Sequence, residues 1–204
     1  MSGPMMTLTE RLVAVPLAYR LWQAPFAGAK FRPVVAHNDL RETARVLDVG
    51  CGPGTNADHF RGAEYVGIDI NPRYVAHAQR RRPGRFVVAD ATDLPHTGDG
   101  DYDFILVNSL LHHLPEEQVK RLLAELSDAL APDGFIHILE LVLPQRRSVA
   151  RLLARWDRGD YPRPIAVWRD LFEQRFQPAV LEQYEVGIAG LTLWNMVYFK
   201  GCPR

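Results

Sequence analysis

The chain has little cysteine, no net charge and no long apolar run. Only Cys51 and Cys202 occur among 204 residues. They form neither a metal-type spacing nor a disulfide framework. No basic residue adjacent in sequence would activate Cys51 as a nucleophile, so it reads as a small side chain with a useful backbone N–H. Lys plus Arg number 24 and Asp plus Glu number 24, giving zero formal charge and a pI near 7.1. No global field therefore draws the chain to nucleic acid or an anionic membrane. No segment is apolar enough for long enough to span a bilayer, and the N-terminus lacks a basic-then-apolar leader. The expectation is a cytoplasmic protein without membrane association. Internal repeats and low-complexity segments are also missing. The length suits one domain able to bury a full core without staples.

One basic run is present: Arg80, Arg81, Arg82 and Arg85. It reads as a solvated helix end, because cations favour a helix C-terminus. A phosphate- or RNA-binding patch is the alternative.

The rest of the chain is organised around RVLDVGCGPGT, residues 45–55. Val46, Leu47, Asp48 and Val49 form the mostly apolar run of a buried parallel strand. Gly50, Gly52 and Gly54 follow at once. A helix is expected next, with Thr55 or Asn56 as N-cap and Ala57 and Phe60 on its apolar face. Strand, glycine turn and helix make the first half of a nucleotide-binding βαβ unit. Backbone N–H groups and the start of the helix would then face the ligand's polar part.

Downstream runs support this frame. Tyr65 to Ile68 ends in Asp69, about twenty positions beyond Gly50, the usual offset for a carboxylate that binds ribose hydroxyls. Arg85 to Ala89 ends in Asp90. Phe104 to Val107 ends in Asn108. Small or polar residues thus close four strand-like runs at the carboxyl edge, where open α/β sheets bind ligands.

On these motifs the sequence resembles the class I S-adenosylmethionine (SAM)-dependent methyltransferases of small-molecule type. VLDVGCGPGT is similar to their first motif, and VGIDIN to the acidic loop after strand two. VVADATDLP resembles the adenine-side motif, and FILVNSLLHHL the motif after strand four. The likeness runs from about Ala44 to Glu140, roughly half the chain. It implies a three-layer α/β/α Rossmann-like fold with a seven-stranded, mostly parallel sheet containing one antiparallel strand. The implied activity is methyl transfer from SAM to a small molecule at oxygen, nitrogen or carbon.

The resemblance also assigns cofactor roles. Asp48 would help hold the ammonium group, often through water. Backbone at Gly50, Cys51 and Gly52 would line methionine and ribose. Asp69 would accept both ribose hydroxyls, two donors matching two carboxylate oxygens. Ile70 would pack on adenine, Asp90 would accept from its amino group, and the Ala91 N–H would face a ring nitrogen. Asn108 would meet the methionine end. For each acid taken singly, a loop cap or turn former is the competing reading.

His112 and His113 are the residues near the implied methyl group that could act as a general base toward a phenol, carboxylic acid or amine. A structural role, bonding neighbouring backbone, competes for both, and methyl transfer can proceed without a dedicated base. The other histidines, His37, His59, His77, His96 and His137, lack ligand spacing, and no metal is expected. NSLL stands where the resembled amino-methyltransferases of DNA bases and protein glutamine carry Asn/Asp-Pro-Pro-Tyr. The acidic set of the metal-dependent catechol methyltransferases is also missing.

Thr7 to Ala24 is amphipathic, with Leu8, Leu12, Val15, Tyr19 and Trp22 at helical spacing and Pro16 as a break. Pro25 and Pro33 bracket a short piece, and Val34 to Arg41 reads as another helix. In the resembled family such N-terminal helices often cover the cofactor pocket, so residues 1–43 are expected to be a lid and 44–204 the SAM-binding domain. Tyr19 and Trp22 then either face the cofactor or acceptor or anchor a peripheral helix.

Pro72 at N1 starts a helix to about Arg82, and His96 to Asp101 reads as a loop. From Pro115, apolar residues at helical spacing (Val119, Leu122, Leu123, Leu126, Leu130) mark a helix with Glu116 and Glu117 in its first turn. Phe135 to Leu139 is a fifth strand. Gln145 to Arg158 and Ile165 to Phe172 read as helices, and residues 144–176 as an insertion forming the acceptor pocket. Trp156, Tyr161 and Trp168 either line it or belong to the core. Pro178 to Val186 and Leu193 to Phe199 read as an antiparallel pair completing the sheet.

Three rivals remain. An NAD-dependent oxidoreductase would need glycine at position 55, where Thr55 stands. Methylation of RNA or protein keeps the class, although neutral charge and short accessory regions weigh against RNA. A non-catalytic SAM-binding protein would retain the same acids. A monomer or homodimer is expected.

Overall fold

The computed structural model describes residues 26–93, 101–146, 148–156 and 160–204. The amphipathic segment 7–24, with Tyr19 and Trp22, and most of the expected 96–101 loop lie outside the described residues.

Seven strands form one sheet in the order β3-β2-β1-β4-β5-β7-β6. These are β1 (Arg45–Val49), β2 (Glu64–Asp69), β3 (Arg85–Val88), β4 (Tyr102–Asn108), β5 (Leu130–Leu141), β6 (Phe176–Ile188) and β7 (Leu191–Pro203). The first five run parallel, and β7 is antiparallel to both β5 and β6. Strand direction reverses because Ala189 and Gly190, both at positive φ, close a tight hairpin between β6 and β7. This is the expected sheet, with one antiparallel strand.

Alternation along the strands sends side chains to two faces. On one face Val46, Phe104, Leu106, Leu139 and Tyr198 pack beneath α1 (Ala27–His37), α2 (Pro72–Arg81) and α4 (Val149–Trp156). On the other, Leu47, Val49, Ile105, Val107 and Ile138 pack against α3 (Glu116–Ala129) and α5 (Ile165–Glu173). The α/β/α layering follows, since each face must be covered by helices.

Two local expectations change. Phe26 to Arg41 is not split at Pro33, because α1 runs through that residue to His37. An interior proline costs a helix about 3 kcal/mol, but Phe31 and Val34 are fully buried on the sheet, each contributing roughly 1.5–3 kcal/mol. Tertiary burial therefore outweighs the local break. The helix expected after the glycine turn is a short 3-10 segment, Thr55–His59, with Gly54 rather than Thr55 or Asn56 at its N-cap. Asn56 is engaged elsewhere: its amide donates to Asp48 at 3.0 Å. Ala57 and Phe60 are buried as anticipated.

Candidate functional site

The site forms at the carboxyl ends of four adjacent strands, β3, β2, β1 and β4. Asp48 is one residue short of the end of β1 and fully buried. Its Oδ2 accepts from Asn56 Nδ2 at 3.0 Å and from the Tyr65 hydroxyl. Its Oδ1 is equally buried and has no hydrogen-bond partner among the described residues. Burial pushes this carboxyl up to about 6, against the pull of the Tyr65 and Asn56 hydrogen bonds and with help from the Asp69 charge. A buried carboxylate oxygen left unpartnered is costly, and it offers a strong acceptor to a donor or cation arriving from the cleft.

The glycine turn is tied to β2. Gly50 N–H and Cys51 N–H both donate to Ile68 O at 2.9 Å. Asp69 closes the same turn from the end of β2: its Oδ2 accepts Gly52 N–H and its Oδ1 accepts Asn71 N–H, each at 2.8 Å. One lone pair on each oxygen remains for a ligand. Gly52 has φ +54°, and a Cβ there would enter open space. Gly54 has φ +75°, and a Cβ there would stand 2.9 Å from Ala78 Cβ and Phe86 Cε1. Gly52 therefore faces the cleft while Gly54 faces the core. Cys51 is buried, and burial, then the charges of Asp48 and Asp69, push its thiol far up. It is no nucleophile.

Neighbouring strand ends complete the edge. Asp69 pairs in register with Val88, and its carbonyl accepts Ala89 N–H at 3.2 Å. Asp90 follows, half-buried, its Oδ1 accepting both Thr92 N–H and Thr92 Oγ1–H at 2.8 Å. That is the turn-forming role open to aspartate. Ile70 and Ala91 are half-buried beside it. Asn108 ends β4 next to β1, and Ser109 after it has φ 56°. Strained backbone of this kind clusters at ligand sites. Leu110 then reaches toward the glycine turn: a Cβ on Gly50 would stand 3.2 Å from Leu110 Cδ2.

Gly50 and Cys51 are thus tied to Ile68, and Gly52 to Asp69, at the end of β2, with Asp48 beside them at the end of β1 and Asp90, Ala91 and Asn108 at or just past the ends of the flanking strands. Tyr19 lies outside the described residues. His112 and His113 sit in a second 3-10 segment, Leu111–His113, their rings 4.2 Å apart. His112 is buried, and its Nδ1 pairs with Oε1 of Glu140 near the end of β5. Sequence reasoning gave Glu140 no role. Its signal was an acidic residue inside the mostly apolar run IHILELV. Arg163 was also missed. It is buried and donates to Leu111 O at 3.2 Å, Tyr161 O at 3.1 Å and Leu114 O at 2.8 Å. Trp168 is fully buried, its Nε1–H donating to Leu141 O at 2.8 Å. It belongs to the core, not to an acceptor pocket. Tyr161 is exposed, and its backbone N–H donates to His112 O at 3.0 Å.

Among the described residues no group of three or more His, Cys, Asp or Glu is arranged to hold a metal ion, and no helix is long and apolar enough to cross a membrane.

The fold and its edge of acids define a Rossmann-like nucleotide-type domain. Residues 46–134 match the family model described as a methyltransferase domain. A trans-aconitate 2-methyltransferase from Delftia acidovorans is 28% identical over 193 residues, covering 85% of this chain and 70% of that protein. One from Variovorax paradoxus is 37% identical over 142 residues, covering 65% and 51%. A solved Burkholderia thailandensis 1,6-didemethyltoxoflavin-N1-methyltransferase with bound S-adenosylhomocysteine superposes with a TM-score of 0.71 at 22% identity, covering all of this chain and 94% of that one. The chain spans from 34% to 70% of the length of the first curated relatives that it matches. The chain is thus similar over residues 46–134 to a methyltransferase domain and shares the fold of solved SAM-dependent methyltransferases.

Proposed function

We propose that the chain transfers a methyl group from SAM to a small-molecule acceptor. The observation that carries this reading is Asp48 Oδ1, a buried carboxylate oxygen without a hydrogen-bond partner among the described residues, on the strand that leads into the glycine turn. An ammonium group, directly or through water, satisfies it. Asp69, already ordered by Gly52 and Asn71, keeps lone pairs for two ribose hydroxyls. Ile70, Asp90 and Ala91 would hold adenine, and Asn108 the methionine end. When bound, SAM supplies a sulfonium methyl open to in-line displacement. The chain's own part is orientation and exclusion of water, worth several kcal/mol.

Relatives named for trans-aconitate and a toxoflavin precursor support a small acceptor. In this reading residues 1–43 cover the pocket and 144–176 wall it on the acceptor side.

Calorimetric titration with SAM, S-adenosylhomocysteine and NADH tests the cofactor. Micromolar affinity for the first two, and none for NADH, is expected. A folded protein that binds neither SAM nor its product overturns the reading. Radiolabelled methyl transfer to a panel of phenols, amines and carboxylic acids, trans-aconitate included, then tests turnover. Transfer to no member of the panel overturns the small-molecule assignment.

A further inference from the structure

Three elements meet at the carboxyl group of Asp48. Asp48 lies on β1, Tyr65 on β2 and Asn56 in the 3-10 segment after the glycine turn. The Tyr65 hydroxyl and the Asn56 amide, the latter at 3.0 Å, both donate to Oδ2. The Asn56 bond also spans the glycine turn, joining a residue before it to one after it. Tyr65 is buried, its ring centroid 5.9 Å from that of Phe60 and 5.7 Å from that of Phe86. Burial, then the Asp48 charge, push its hydroxyl far up, so it keeps its proton and stays a donor. The Asn56 amide does not titrate.

Oδ1 of the same carboxylate is buried without a hydrogen-bond partner among the described residues. No lysine, arginine or histidine among them forms an ion pair with Asp48. The titratable groups facing it are the Tyr65 hydroxyl, the Asp69 carboxyl at the end of β2 and the Cys51 thiol in the turn. None supplies a positive charge. A buried acid with one oxygen doubly engaged, the other unpartnered and only acids around it lacks a cation. Asp69 and Cys51 place that vacancy in charge at the glycine turn. Resting on the methyltransferase reading above, we propose that Tyr65 and Asn56 are positioning residues for the cofactor: they occupy Oδ2 of Asp48 and reserve Oδ1 for its ammonium group, so that the cofactor binds best when Asp48 is ionised.

When Asp48 is protonated, the hydrogen lies on Oδ1, because Oδ2 already accepts two donors. An ammonium group has donors alone and gains no acceptor there. Binding therefore sends the Asp48 proton to solvent and leaves a carboxylate opposite the ammonium. Burial raises Asp48 to about 6, and the Tyr65 and Asn56 hydrogen bonds pull it back down. The two donors thus widen the pH range of binding, since without either one the proton is held to higher pH.

The test titrates the full chain calorimetrically with S-adenosylhomocysteine from about pH 5 to about pH 8. Wild-type affinity should be flat at the alkaline end and fall from an onset near pH 6, approaching about tenfold per pH unit. 5′-Methylthioadenosine has the nucleoside and the thioether without the ammonium group, and should show no such fall. This separates Asp48 from Asp69, which in that reading meets ribose in both ligands. Tyr65→Phe keeps the ring against Phe60 and Phe86 and loses the donor. It should move the onset upward by about half a pH unit or more. Asn56→Leu should do the same, and keeps the proposal testable if Tyr65→Phe fails to fold. A merely structural role would weaken binding equally at every pH. A wild-type affinity that does not fall, an onset unmoved in either folded variant, or the same fall with 5′-methylthioadenosine overturns the role of Tyr65 and Asn56 with the cofactor reading intact. Failure of the wild type to bind S-adenosylhomocysteine at the alkaline end overturns the reading beneath it.

Discussion

The Tyr65 hydroxyl on β2 donates to Oδ2 of Asp48 on β1, and the other oxygen of that carboxylate is buried without a partner among the described residues. Two adjacent parallel strands thus orient one acid so that a single acceptor remains. The arrangement disfavours the ionised carboxylate in the free protein and makes it a strong acceptor for a bound cation.

A trade between stability and binding follows. Burial raises Asp48 from 3.8 to about 6, so the folded state holds a proton across that window which the unfolded state has released. Stability from this group falls as pH rises through the window, by roughly 3 kcal/mol. Asp48→Asn should therefore stabilise the free protein at pH 7.5 by about 1–3 kcal/mol in denaturant unfolding. The gain should vanish below about pH 4. SAM affinity should fall at least tenfold, about 1.4 kcal/mol. A variant less stable than wild type at pH 7.5 would contradict the burial argument.

Asp69 serves the turn as well as the ligand. Asp69→Ala should weaken SAM by more than about 1.5 kcal/mol, the lower range for charged hydrogen bonds. It should also lower the stability of the free protein by about 1–3 kcal/mol, since Gly52 N–H and Asn71 N–H both lose their acceptor. Unchanged calorimetric affinity would break the ribose assignment.

The two turn glycines should fail differently. Gly52→Ala places a methyl in open space, so folding should suffer only the left-handed backbone cost, about 1–2 kcal/mol, while SAM binding is lost. Gly54→Ala drives its methyl into Ala78 and Phe86, so thermal unfolding should show the larger loss. Equal losses of stability would mean that Gly52 does not face the cleft.

Trp168→Ala should cost about 3–5 kcal/mol in unfolding free energy through lost core volume. Trp168→Phe should leave acceptor preference unchanged across the panel. A changed preference in that milder variant would return Trp168 to the acceptor pocket.

Much of the cofactor edge was legible because each of these polar residues closes an apolar run or stands one residue from its end, with a turn residue or loop behind it as a local signal. Asp48, Asp69, Asp90 and Asn108 were all found that way. Glu140 has no such mark: unlike Asp48 it has no glycine turn behind it, and it lies within a run that otherwise reads as buried strand. Arg163 lies in a Pro-rich loop whose pattern says only that no helix runs through it.

The sequence by itself determined the strand–turn–strand frame, the glycine turn and the order of the acids, because those depend on neighbours within a few residues. Tertiary structure decided that α1 continues through Pro33, since the burial that offsets the proline comes from the sheet. It also decided that Asn56 serves Asp48 instead of capping a helix, and that Trp168 is core. The clamp on His112 needed the same information. Glu140 is 28 residues from His112 and Arg163 is 52 from Leu111, and only strand order brings them to one turn.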